Sequence, residues 1–325
     1  MRTRARQRRA RCECPGGRGR TRAPPPIAAT VPVVPRIVLL AALLTGLLAV
    51  PAHAEFPGQS LLALSRNAAA APANAPAGHA VISQDKRYGR MVAFESSATN
   101  LVAGAGAFTN VFVVRRAPGY GENGTPWQFG RIALASGAMN GQPANGPSGG
   151  ASLGGTSRVA SRCVAFVSAA SNLVRGDTNA TPDAFVRDLR SGRTIRVSVD
   201  SRGRQSRGTV FEVAVKGLCT RVAFVSDGGD LALTSTRKRS WRSAVTYRPP
   251  LGRRQVYLRA IGGSKGIDRA LRRLTFLASA TARRPADGDC YDIAYATNGR
   301  ALTFASAASN LAPGDGNGVS DIYSA

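Results

Sequence analysis

The sequence predicts an all-β chain of tandem four-stranded antiparallel units, the architecture of a β-propeller. Three observations predict it. An apolar strand ending in Phe recurs four times, anchored at Phe94, Phe166, Phe224 and Phe304. Each copy is flanked by turn signals and by further short strands of alternating polarity. No segment after the N-terminal region shows a helical period.

The N-terminus stands apart. Residues 1–36 hold ten Arg and one acid, Glu13, and the apolar run Ile37–Val50 follows. That run is too short to span a bilayer comfortably. Ala52-His53-Ala54 fits the small-x-small cleavage pattern, so residues 1–54 are expected to be a secretory signal peptide. The long basic region leaves the translation start open to a position near Val31 or Val34. Residues 55–325 are then the propeller domain, 271 residues (325 less 54) with 34 basic and 17 acidic side chains. No second long apolar run follows, so no transmembrane segment is expected after signal removal. The expected location is periplasmic or secreted. Much of the charge excess is Arg in an Ala- and Gly-rich chain, which a GC-rich coding bias also produces.

The first unit opens with the inner strand and turn His79–Arg90 and continues through Met91–Arg116. The second runs from Cys163 to Leu189, with the outer strand Thr194–Val199 after the Ser191-Gly192 turn. The third starts at Arg221 and loses its pattern after Leu233. The fourth, Ala301–Ala325, follows an Asn298-Gly299 hairpin signal. Related outer strands are Arg131–Ser136 and Arg273–Ser279. About four blades are readable. The fourth copy stops after its third strand, and Ser60–Arg66 has the pattern of the missing fourth. An N-terminal strand is therefore expected to close the ring, which removes exposed sheet edges.

A Gly-Asp loop recurs after the Phe strand. It offers Asp177, Asn179 and Asp183 in one copy and Asp315, Asn317 and Asp321 in another. Oxygen donors at alternating positions in a Gly-rich loop suit Ca²⁺. Turn chemistry accounts for the same residues without a metal, because Asp and Asn bond their own backbone and tolerate left-handed φ. No cofactor is required, and Ca²⁺ is the one candidate.

The insert 234–259 carries Arg237, Lys238, Arg239, Trp241, Arg242, Arg253 and Arg254 without an acid. It is expected to form an anion- or partner-binding face for a protein or a cell-envelope component, unless it is simply a solvated loop. An exported chain is not expected to meet nucleic acid. Gly119–Gly124 satisfies G-x-G-x-x-G and Gly146–Gly150 satisfies G-x-S-x-G. Neither sits at a strand-to-helix turn, so neither reads as a cofactor site or a nucleophile elbow. His79 is the one His left after signal removal. No catalytic residue is assigned, which points away from an enzyme. Cys163, Cys219 and Cys290 remain in the mature chain and allow at most one bridge, its pairing open.

The second repeat, a Gly-Arg-type turn followed by "CVAFVSAASNLVRGDTNATPDAFVRDLRSGRTIRVS", resembles the repeat of TolB-like, WD-repeat-like bacterial propellers. The resemblance extends over nearly all of residues 60–325. It implies a secreted or periplasmic propeller that scaffolds protein partners on its faces. The expected function is an exported, non-catalytic protein-interaction or envelope-binding module. The alternatives are a propeller enzyme, hydrolase or lyase, with a channel site, and a Ca²⁺-stabilised structural domain. These functions rest on fold analogy.

Overall fold

A computed structural model describes residues 61–83, 89–117, 129–156, 158–231, 249–263, 266–267, 275–281, 284–296 and 300–325. The chain divides into two units, Met1–Ala52 and His53–Ala325, and every described residue lies in the second. The expected signal peptide, the Asn298-Gly299 turn and most of the basic insert lie outside the described residues.

Among the described residues every regular element is a strand. The first sheet holds β1 (Ala77–Ile82), β2 (Met91–Ser96), β3 (Asn110–Arg116) and β4 (Phe129–Leu134). The second holds β5 (Ser148–Leu153), β6 (Cys163–Ser168), β7 (Asp183–Asp188) and β8 (Thr194–Arg196). The third holds β9 (Val210–Val215), β10 (Arg221–Ser226) and β11 (Gln255–Ala260). A two-stranded ribbon, β12 (Gly262–Gly263) and β13 (Gly266–Ile267), interrupts it before its outer strand β14 (Thr275–Leu277). The fourth holds β15 (Cys290–Tyr295), β16 (Leu302–Ser306) and β17 (Asp321–Ser324). All pairings are antiparallel between chain neighbours, so each sheet is one propeller blade.

The Phe anchors set the packing. Phe94, Phe166, Phe224 and Phe304 each stack on the aromatic opposite them in the third strand: Phe112, Phe185, Tyr257 and Tyr323. Ring centroids lie 5.6 to 5.9 Å apart, the range of offset stacking. Each stacked pair marks the front of a blade. Phe166 and Phe185 pack on Val111 and Val113 of the first blade. Phe224 and Tyr257 pack on Ala184 and Val186 of the second. Phe304 packs on Val225 and Val256 of the third. Burial of these faces is the main favourable term in holding the blades together.

The repeated Ser-Asn-Leu loop has a structural task. Asn172 Nδ2 donates to Pro143 O, while Asn145 Oδ1 accepts from Ser171 N. Asn100 and Asn310 make the same bonds to Pro72 O and Pro285 O. The loop thus clasps the Pro-Ala-Asn or Pro-Ala-Asp segment that enters its own blade, satisfying backbone groups that a solvated turn would leave to water.

One disulfide, Cys163–Cys219, ties the second blade to the third, and Cys290 is free and buried. Gly154 makes room for it. A Cβ there would lie 2.7 Å from Cys219 Sγ and 3.0 Å from Cys163 Sγ.

Among the described residues the strand expected to close the ring forms no ladder with the last blade. Leu64 and Ala73 pack on Phe94 and Phe112, so residues 61–75 cover the front of the first blade. Their one ladder contact is a bridge from Arg66 to Pro72. Equivalent bridges, Val199 to Gln205 and Ala280 to Pro285, follow the outer strands of the second and third blades. Residues 61–66 therefore stand where the outer strand of a preceding blade belongs. Among the described residues they do not pair with β17, the third strand and open edge of its sheet.

Candidate anion-binding groove

Between the first and second blades the back of one sheet and the front of the next diverge. They leave a groove of about 800 Å³. Met91, Val113, Ala133, Leu134 and Leu189 form its apolar floor. Five arginines surround it: Arg115 on β3, Arg131 on β4, Arg162 before β6, Arg187 on β7 and Arg190 in the β7–β8 turn.

Strand register puts them there. In β3, Val111, Val113 and Arg115 alternate onto one face, and the first two are buried against the second blade. Arg115 lies past the end of that contact, directly opposite Arg131. Like charges in directly opposed positions destabilise an antiparallel pair. Both side chains are exposed. Phe185, Arg187 and Leu189 alternate in the same way from the facing blade.

Asp188 is the one acid close to the groove among the described residues. Its Oδ2 is 3.2 Å from Arg162 Nη2, and its Oδ1 accepts from the N–H groups of Arg190 and Ser191. Burial opposes ionisation, yet the Ser191 and Arg190 amides and the Arg162 guanidinium hold this carboxyl below its usual pKa. The bonds also fix the turn that presents Arg190. Arg187 Nη1 donates to Thr194 Oγ1, and burial lowers the Arg187 pKa. Arg162 Nε is buried with no hydrogen-bond partner among the described residues. Among the described residues five guanidiniums thus have one carboxylate. An anion of the carboxylate or phosphate class, able to accept two parallel N–H bonds from a guanidinium, matches this donor set.

The Gly-Asp loops are placed at the opposite ends of β6 and β16. Asp177 and Asp183 do converge, with side chains 5% and 0% exposed, and Arg196 lies between them at 3.3 and 3.5 Å. Gln205 Nε2 donates to both carboxylates, and Ser198 Oγ donates to Asp183. Burial pushes the Asp183 carboxyl up to about 6, against the Ser198 bond and the attraction of Arg196. Asn179 turns away, donating to Ser206 O and accepting from Thr181 N. The guanidinium of Arg196 thus holds the place a cation would take. In the last blade Asp315 accepts from the Tyr323 hydroxyl, and Asn317 Nδ2 donates to Asp321 Oδ2. No group of three His, Cys, Asp or Glu stands ready for a metal among the described residues.

Of the basic insert, Arg237, Lys238, Arg239, Trp241 and Arg242 lie outside the described residues. Arg254 stacks over the Phe211 ring at 3.9 Å, and its N–H donates to Asp289. Arg253 borders a separate hollow with Arg284 and Asp287.

The inner strands line an open hollow of about 410 Å³. Aliphatic side chains and backbone line it, with Ser152 and Tyr295, and no acid or His lines it among the described residues. Two carboxylates beside it are committed to backbone. Glu95 Oε1 accepts from Gly150 N at 2.7 Å, and Glu212 accepts from Asp292 N and Ile293 N at 3.1 and 3.0 Å. Both clip an inner-strand bulge, where Gly150 and Asp292 have φ of 61° and 54°. Ser148 of the G-x-S-x-G string sits in β5, its hydroxyl bonded to Ser168.

No protein-family model matches the chain, and no curated protein matches it. Some solved structures align with it in part. Pyrococcus horikoshii acylaminoacyl peptidase aligns at 10% identity and a TM-score of 0.29, covering 71% of this chain and 28% of that one. The tricorn protease aligns at 12% identity and a TM-score of 0.24, covering 76% of this chain and 21% of that one. This chain therefore spans less than a third of either. Both are peptidases, so the expectation of a non-catalytic scaffold is corrected: the proteins found similar are enzymes.

Proposed function

We propose that this chain is an exported propeller that binds an anionic ligand in the groove between its first and second blades. The observation that carries the reading is the opposed pair Arg115 and Arg131, joined by Arg162, Arg187 and Arg190, with Asp188 as the one nearby acid among the described residues. An anion between the first two replaces repulsion with charge-assisted hydrogen bonds. The apolar floor favours a ligand that carries some apolar surface beside its charge.

Export agrees with the Cys163–Cys219 bridge, because disulfides persist in oxidising compartments. It also agrees with the leader-like sequence of residues 1–54, and kinship with TolB-like propellers belongs to the same reading.

Thermal melts in sodium phosphate and in sodium chloride at equal ionic strength test it. A ligand that binds only the folded state stabilises by about 2.7 kcal/mol at a hundred times its Kd. The midpoint is expected to rise in phosphate for the native chain and for the control Arg202→Ala. It is expected not to rise in Arg115→Ala/Arg131→Ala. Equal midpoints in both salts contradict the reading.

A further inference from the structure

Three blades of this chain use one interface, and the fourth leaves the same interface unmade. Val111, Ala184, Val256 and Ile322 hold the same place in the third strand of their blades. The first three are 0% exposed, each covered by the aromatic front of the next blade. Ile322 is 73% exposed.

The outer edge of the same sheet is also unmade. In the first three blades the residue after an outer-strand Ala or Val is Ser: Ser136, Ser198 and Ser279. Each Ser hydroxyl accepts from the third strand, from Val111 N, Ala184 N and Val256 N. Each donates to the side chain that opens that strand, Asn110, Asp183 or Gln255. The residue before each Ser donates its N–H to the same third-strand carbonyl. In the last blade, Asp321 opens the third strand, and no outer strand faces it among the described residues.

Among the described residues one segment matches those fittings and has no third strand to receive it. Ser65 O accepts from Ala73 N, as Ser198 O does from Ser206 N and Ser279 O from Ala286 N. Residues 61–66 and the edge of β17 are thus complementary halves. Among the described residues they are not joined, while three packed interfaces and the Cys163–Cys219 bridge hold successive blades together.

We propose that two copies of this chain join head to tail into one eight-bladed ring. Each copy supplies residues 61–66 as the fourth strand of the other's last sheet, and the front of its first blade covers the other's Ile322. Four blades from each copy make eight, within the range of known propellers. A heterologous interface closes when its rotation returns after a whole number of copies, here two. The repeat sets the register: Leu64 N donates to Ile322 O, Ile322 N to Ser65 Oγ, and Ser65 Oγ to Asp321. Leu62 then lies opposite Ser324, as Ile195 lies opposite Val186.

Light scattering on the purified protein and a cysteine pair test the proposal together. The native chain is expected at twice the monomer mass. Ile322→Asp is expected at the monomer mass with an unchanged β-sheet circular dichroism spectrum, while Val159→Asp, also on the surface, keeps the doubled mass. Leu62→Cys/Ser324→Cys is expected to give a reducible covalent dimer. A native monomer overturns the proposal, as does a dimer that survives Ile322→Asp. So does a cysteine pair that oxidises inside a monomer, which shows closure within one chain.

Discussion

Arg115 and Arg131 are direct cross-strand partners at the exposed end of β3 and β4, with no acid between them among the described residues. A pair of this kind costs stability until something negative enters. Removing one arginine is expected to stabilise the ligand-free protein slightly, by about 0.5 kcal/mol. Urea unfolding of Arg131→Ala at low salt measures it. The gain is expected to shrink at high salt, where exposed charges are screened.

Asp183 predicts an unusual pH dependence. Its folded pKa, about 6, stands above the usual carboxylate value of 3.8. A raised pKa means its contribution is fully present below about 4 and is lost as pH rises through about 6. Roughly two units correspond to about 3 kcal/mol at most. Asp188 and Asp200 act oppositely: despite burial, backbone N–H bonds and the guanidiniums of Arg162 and Arg204 depress their pKa values. Their stabilisation is lost only as pH falls below the usual carboxylate range. Asp183→Asn is therefore expected to flatten the stability profile between pH 4 and pH 6.5, read by urea midpoints at both ends.

The Cys163–Cys219 bridge closes a loop across 56 positions between two blades. Its loss in Cys219→Ser is expected to cost about 2–4 kcal/mol. Guanidinium unfolding with and without reductant gives the same difference in the native chain and no difference in the variant.

Glu212 joins β9 to the bulge of β15 through two amides. Glu212→Ala leaves Asp292 N and Ile293 N without that partner. The cost is expected to be about 1–3 kcal/mol. Hydrogen exchange is expected to quicken at those two amides before it quickens in β10.

Much of the fold was legible because its signal is local. Each Phe anchor lies two residues before the Ser that ends its strand, and its stacking partner follows one loop later, a short one except where the insert separates Phe224 from Tyr257, so four blades could be counted from the recurring anchor. The Ser-Asn-Leu loop was legible as a repeat but not as a clasp. Its partners, such as Asn145 for Asn172, precede it by more than twenty residues and look like ordinary turn sequence.

The groove was not legible for a related reason. Arg115, Arg131, Arg162, Arg187 and Arg190 come from two repeats, and each by itself reads as a solvated arginine. A contiguous basic run drew the reading to 234–259 instead. Alternation holds the missing signal, because Val111-Val113-Arg115 and Phe185-Arg187-Leu189 place arginines at the ends of buried faces. Asp177 and Asp183 were found as a pair, but Arg196, the cation that joins them, lies on the next strand. That geometry predicts that millimolar Ca²⁺ leaves the melting midpoint unchanged.

The most direct measurement is calorimetric titration of pyrophosphate into the native protein and into Arg115→Ala/Arg131→Ala at one ionic strength. One site per chain is expected in the native protein, weakened at least tenfold in the variant, with affinity falling as salt rises. Equal binding by both proteins, or none by the native chain, contradicts an anion site in this groove.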